Sequence, residues 1–125
     1  MNPITIQFLR THPLAQMPIR STPYAAGFDL FAAEIKQDVG NTVCVDTGLS
    51  VAFPEGYVLK IFPRSGWSRK YGIRLVNSVG IVDADYRGPL LILLRSDILT
   101  VQELHDLVRI GDRVAQCILE KIPDV

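Results

Sequence analysis

Short apolar runs separated by turn-forming clusters run through the whole chain, and this pattern predicts strands joined by turns. Residues 4–9 alternate as a first strand. Residues 13–26 carry Pro13, Pro18 and Pro23 and predict an irregular crossing. Residues 30–33 read as a short strand, and residues 42–45 and 49–53 flank Asp46-Thr47-Gly48, a turn signal. Pro54-Glu55-Gly56 marks another turn before a buried strand over 57–62. Residues 65–71 are the best place for a short helix, which Ser65 can cap and Gly72 can end. Strand pieces over 73–76 and 80–82 then lie on either side of Asn77, just before a hairpin.

Residues 90–94 lack polar alternation, which predicts a central strand buried on both faces. Thr100-Val101-Gln102-Glu103 fits a capping box, so residues 100–107 are open to a helical turn or a strand. The last strand is predicted over 114–119. The sum is an all-β domain with one short helix, a small jelly-roll-like barrel whose edges need covering.

Composition narrows this without changing it. The 125 residues suit one domain, 1–125, with a sizeable core. Acidic and basic residues balance at 13 each, so no basic excess marks a surface for duplex nucleic acid. Arg64, Arg69, Lys70 and Arg74 do cluster along the chain, which suits a small anion better than a duplex, although a solvated charged loop explains the cluster as well. Cys44 and Cys117 lie in apolar contexts without metal or disulfide-scaffold spacing, and both are expected in the core. His12 and His105 lack ligand spacing and are expected at the surface. The start shows no signal peptide, and the longest aliphatic run is too short for a membrane span, so a cytoplasmic protein is expected.

The densest chemistry lies in Gly80-Ile81-Val82-Asp83-Ala84-Asp85-Tyr86-Arg87-Gly88. A plain turn gains little from a tyrosine and an arginine beside a second aspartate. A site that sets water against an anionic substrate uses all of them: a carboxylate for the water, a flat ring for packing, a cation for phosphate. The bland alternative is a hairpin with a solvated polar tip. Three further segments weigh against it: Ala25-Ala26-Gly27-Phe28-Asp29-Leu30-Phe31-Ala32-Ala33, Pro63-Arg64-Ser65-Gly66, and Gly111-Asp112-Arg113-Val114-Ala115-Gln116. In this order and spacing the four segments resemble those of the trimeric deoxyuridine triphosphatases (dUTPases), over almost the whole chain.

That resemblance implies a homotrimer of β-clip subunits with active sites shared between them, and hydrolysis of dUTP to dUMP and pyrophosphate. Asp83 would orient and activate the attacking water. Tyr86 would lie under the deoxyribose and exclude a 2′-hydroxyl. Asn77, Gly80, Ile81, Val82 and Leu91 would surround the uracil, with close backbone approach explaining Gly80. Arg64, Ser65 and Gly66 would form the phosphate loop, with Gln116 also reaching the phosphates. Mg²⁺ would arrive on the substrate, with Asp29 near its hydration shell and no direct protein ligand. Asp85 would be structural. By strand alternation it would point to the same side as Asp83.

Two departures accompany the resemblance. The family usually continues into a glycine-rich arm over the nucleotide, and this sequence ends at Ile122-Pro123-Asp124-Val125, so binding with slow turnover is expected of the 125-residue form. Trp67 stands where a smaller aliphatic is commoner, and packing is its expected role. Two rival functions stand beside this one. A non-catalytic nucleotide- or protein-binding module is favoured by the missing arm and opposed by Asp83. A dCTP deaminase needs a glutamate on the strand after the hairpin, and Pro89-Leu90-Leu91-Ile92-Leu93-Leu94 has no acid.

Overall fold

The structure, a computed structural model, describes residues 3–37 and 39–125. Met1 and Asn2, where the N-terminal leader reading begins, lie outside the described residues. Ten strands and two helices follow one another: β1 (Gln7–Arg10), β2 (Phe28–Phe31), β3 (Glu34–Gln37), β4 (Val43–Asp46), β5 (Leu49–Ala52), β6 (Tyr57–Phe62), α1 (Ser65–Tyr71), β7 (Ile73–Leu75), β8 (Gly80–Val82), β9 (Leu91–Ser96), α2 (Val101–Leu107) and β10 (Arg113–Lys121). They form antiparallel sheets ordered β1-β5, β2-β10-β6-β8 and β3-β4-β9-β7. Leu30, Val45, Leu59, Ile92, Leu94 and Val114 are essentially inaccessible and fill the space between the sheets. The jelly-roll-like all-β fold read from the sequence is therefore present. Among the described residues no helix is long and apolar enough to cross a membrane.

Several boundaries differ from the sequence reading, each for a local reason. β1 starts at Gln7 because its partner ends at Ala52, where Phe53 leads into Pro54, which has no N–H to extend the ladder. β2 lies two residues earlier than expected. Ala32 and Ala33 instead carry the chain from one sheet to the other, their N–H groups donating to Asp112 and Asp46 carbonyls at 2.9 Å. β3 is polar at Glu34, Lys36 and Gln37 because it is an edge strand, and its apolar signal is accordingly weak. β9 is interior to its sheet but buried on one face only: Ile92 and Leu94 are covered, whereas Leu91 is exposed.

The second helix corrects the expectation of one. Thr100 Oγ1 accepts from Glu103 N at 3.1 Å, Thr100 N donates to Glu103 Oε1 at 3.0 Å, and Leu104 seats α2 in the core. The capping box decides the conformation that residues 100–107 left open. In α1 the N-cap is Arg64, without a side-chain cap, and Ser65 is the first helical residue. Gly72 ends that helix at φ 62°, as the left-handed C-cap expected of it.

The turns also differ in what they join. β4 and β5 flank Thr47-Gly48 but belong to different sheets, and so do β7 and β8 around Asn77. Both are corners that carry the chain from one sheet to another. Thr47 fixes the first: its hydroxyl donates to the Leu90 carbonyl at 2.8 Å inside the core. Cys44 and Cys117 are both buried, as expected. His12 and His105 are half-buried.

Candidate functional site: an anion pocket and a tyrosine-walled cleft

β6 ends at Phe62 and runs through Pro63-Arg64 into α1, beside the start of β10, with Gln116 opposite Phe62. A cavity of about 240 Å³ opens there, lined by Asp29, Arg64, Ser65, Gly66, Arg113 and Gln116. β2 brings in Asp29 through its pairing with Gln116. Gln116 Nε2 donates to the Pro63 carbonyl at 3.2 Å and so holds the loop against β10. A β-carbon on Gly66 would meet nothing within 4 Å, so this face of the pocket is open.

The pocket holds two cations and one anion. Arg113 pairs with Asp29 at 3.4 Å. Arg64 donates to the Arg113 carbonyl at 3.2 Å, and its guanidinium carbon lies 4.9 Å from the centre of the Trp67 ring. Burial and then the Arg113 charge push the Arg64 pKa down, against the upward pull of Asp29 and Asp112. An incoming polyanion relieves that crowding of positive charge. Sequence reasoning placed Asp29, Arg64, Ser65, Gly66 and Gln116 at one site and the structure brings them together. It missed Arg113, although the signal was there, inside the same Gly111–Gln116 segment.

The wider basic cluster does not form one patch. Arg74 is paired with Asp97 at 3.1 Å, and Lys70 Nζ lies 5.2 Å from the centre of the Tyr71 ring.

A second cleft, of about 150 Å³, is lined by Ile61, Asn77, Gly80, Ile81, Val82, Tyr86, Pro89, Leu90 and Leu91. All six residues expected around the base and sugar are here. Its shape comes from backbone devices. Ser78 sits at φ 64°, a left-handed conformation that costs a non-glycine residue of order 1–3 kcal/mol and turns the chain at Asn77. Tyr86 N donates to the Asp83 carbonyl at 3.1 Å, so a turn begins immediately after β8. Strand alternation therefore stops at Asp83, and it does not set the direction of Asp85. The Tyr86 hydroxyl donates to the Pro89 carbonyl at 2.8 Å, and Arg87 Nη1 donates to the Ala84 and Tyr86 carbonyls at 2.7 and 3.1 Å. A β-carbon on Gly88 would lie 2.5 Å from the Tyr86 hydroxyl, so the ring position requires glycine there.

Gly80 also answers a demand of the fold itself. It is opposite Ile61 across the β6–β8 ladder, and a β-carbon on it would lie 2.9 Å from Ile61 Cβ.

Asp83 is exposed and lines neither cavity. Val82 pairs with Leu59, so Asp83 follows at the Val58 end of β6, while Ser65 follows Phe62 at the other end. Four strand residues separate the two ends, roughly 13 Å at about 3.3 Å per residue. Within one chain Asp83 and the Arg64-Ser65-Gly66 segment therefore lie at opposite ends of β6.

No cluster of three or more His, Cys, Asp or Glu side chains suited to a metal occurs among the described residues. The anion pocket has one lining carboxylate, Asp29, already shared with Arg113. This donor set fits Mg²⁺ carried by phosphate oxygens and water rather than by a protein cage.

Fold and site together define an all-β protein with an anion pocket at one end of a strand and a tyrosine-walled cleft alongside its neighbour. The dUTPase family model matches residues 14–124. A deoxyuridine 5′-triphosphate nucleotidohydrolase of Syntrophotalea carbinolica is 38% identical over 98% of this chain and 82% of its own length. A point variant of the dUTPase from S. aureus phage phi11, solved to show the coordination of a structural Mg(II) ion, superposes with a TM-score of 0.79 at 27% identity, covering 97% of this chain and 94% of that one. A point variant of the dUTPase of Staphylococcus bacteriophage 80alpha, solved with dUpNHpp, has a TM-score of 0.79 at 25% identity over the same shares. The chain belongs to the dUTPase family.

Proposed function

We propose that the protein is a dUTP diphosphatase that hydrolyses dUTP to dUMP and pyrophosphate at sites assembled between the subunits of a homotrimer. Family membership and the intact Asp83 segment support the reaction. The cleft takes the deoxyuridine, with Tyr86 against the sugar and Asn77, Gly80, Ile81, Val82 and Leu91 around the base. The pocket of a neighbouring subunit takes the phosphates, through Arg64, Arg113, the Ser65 hydroxyl and the amides around Gly66. Asp83 accepts a proton from water as that water attacks the α-phosphorus. The bond from the α-phosphorus to the bridging oxygen breaks, and pyrophosphate leaves against the Arg64 and Ser65 donors. Mg²⁺ bound on the phosphates would supply charge neutralisation there, and Asp29, the carboxylate that lines the pocket, would be placed to hold its bound water. An intracellular place follows from a substrate of the nucleotide pool.

One observation carries the shared-site reading: Asp83 and Ser65 sit at opposite ends of β6. Outside the cleft, exposed Leu9, Ile98 and Ile110 give the subunits apolar surface to cover.

The test is complementation. Asp83→Asn and Arg64→Ala trimers are each expected to turn over dUTP poorly. After mixing through a dissociated state, hybrids should recover a substantial fraction of activity, because some sites regain both groups. No recovery in hybrids verified by native mass spectrometry rules out the shared site. Comparable turnover of dUTP and UTP by the unmodified protein rules out the substrate assignment.

A further inference from the structure

Trp67 is the only tryptophan in the chain, and it lies three residues after Arg64 in the turn where α1 begins. Its ring is half-buried and packed on the hydrophobic core, so its position is set by the fold. The Arg64 guanidinium lies over that ring at 4.9 Å. The only hydrogen bond that Arg64 makes from its side chain among the described residues goes to a carbonyl, Arg113 O at 3.2 Å. It has no carboxylate within salt-bridge distance there, in contrast to Arg113, which Asp29 partly neutralises.

This difference has a chemical meaning. A long arginine at a pocket mouth loses side-chain entropy when a ligand fixes it. A carboxylate partner would fix it in advance but would cancel its charge and occupy its donor edge. An indole face fixes the guanidinium plane through cation–π attraction and leaves the charge and the remaining N–H donors for phosphate. An aliphatic side chain at the same place packs equally well on the core but offers no quadrupole to the cation.

We propose that Trp67 is a positioning residue for the reaction: it holds Arg64 over its ring, charged and ready for the substrate phosphates. This rests on the dUTP reading for its substrate, but not for the Arg64–Trp67 geometry. The first test uses the unmodified protein and the non-hydrolysable analogue α,β-imido-dUTP. Its binding should change Trp67 fluorescence, with a midpoint matching the calorimetric Kd, while deoxyuridine alone should leave the emission unchanged. The second test uses variants. Trp67→Leu should lower kcat/KM on the order of tenfold, mainly through KM, and Trp67→Phe, which keeps a ring, should restore most of it.

Three results would overturn the proposal: unchanged emission at calorimetric saturation, Trp67→Leu equal to the unmodified protein, or Leu and Phe variants equally impaired, which marks packing alone. If dUTP is not turned over while the analogue still perturbs Trp67, the reaction assignment falls and the positioning role stands.

Discussion

Gly80 and Ile61 face each other across the β6–β8 ladder so closely that a single added methyl would lie 2.9 Å from Ile61 Cβ. That atom is the root of a core side chain and not a flexible tip, so the strands themselves must part. Gly80→Ala is expected to cost about 1–3 kcal/mol by overpacking. Thermal denaturation should record a fall of about 4 °C per kcal/mol. Ile61→Val keeps the β-carbon and should not rescue the variant. Full rescue by Ile61→Val would place the conflict further out along the side chain.

Among the described residues the Asp83 side chain makes no hydrogen bond or ion pair, which separates its chemistry from stability. Asp83→Asn should leave the melting temperature within about 2 °C and the α,β-imido-dUTP affinity nearly unchanged, while kcat falls on the order of 10²-fold or more. A near-normal kcat would remove Asp83 from proton transfer.

Gly88 sets the Tyr86 ring from behind. Gly88→Ala pushes the Tyr86 hydroxyl away from the Pro89 carbonyl, which it now reaches at 2.8 Å. The ratio of kcat/KM for dUTP over UTP should drop, on the order of tenfold, because the sugar wall moves. Tyr86→Phe, which loses the hydrogen bond but keeps the ring, should drop it less. An unchanged ratio in Gly88→Ala would mean that another residue rejects the 2′-hydroxyl.

Cys117 makes a stability prediction with a definite sign. Burial pushes its thiol up to about 12 from an ordinary 9.0, with Asp29 adding to the rise and a backbone hydrogen bond from Phe28 opposing it. Between those values the unfolded chain releases a proton that the folded chain keeps, so the unfolded state binds fewer protons and stability falls as pH rises. Urea unfolding should show this decline above about pH 9, and Cys117→Ala should flatten it, apart from the general cost of the smaller side chain. The same decline in the alanine variant would assign the slope to other groups.

What the sequence made legible follows a physical division. β6 and α1 were read at their observed ends because proline and glycine punctuate them: Pro54-Glu55-Gly56 and Pro63 bound the strand, and Gly72 stops the helix. Partner choice was not legible. Residues 73–76 and 80–82 read as neighbouring strand pieces, but nothing in them shows that each belongs to a different sheet, because strand pairing here is set by core closure and not by the nearest turn. β3 went unread because an edge strand with Lys36 and Gln37 has no apolar face to announce it. Pro63-Arg64-Ser65-Gly66 stood out only through its resemblance to a family segment, since its residue types alone suit a solvated charged loop equally well. Arg113 stood within the Gly111–Gln116 segment, but its pairing with Asp29 appears only when β10 is laid beside β2.

The length of β6 has a consequence for inheritance. Because it holds Asp83 and Ser65 apart, each chain in the proposed trimer donates its two halves to different sites. A chain with a damaged Asp83 disables one site and still lends a sound phosphate loop to another. A chain damaged in both places disables two. In a cell making normal and damaged chains together, active sites should therefore decline in proportion to single-defect chains but with the square of the normal fraction for double-defect ones. Two individually harmful alleles, one in each half, would partly cure each other.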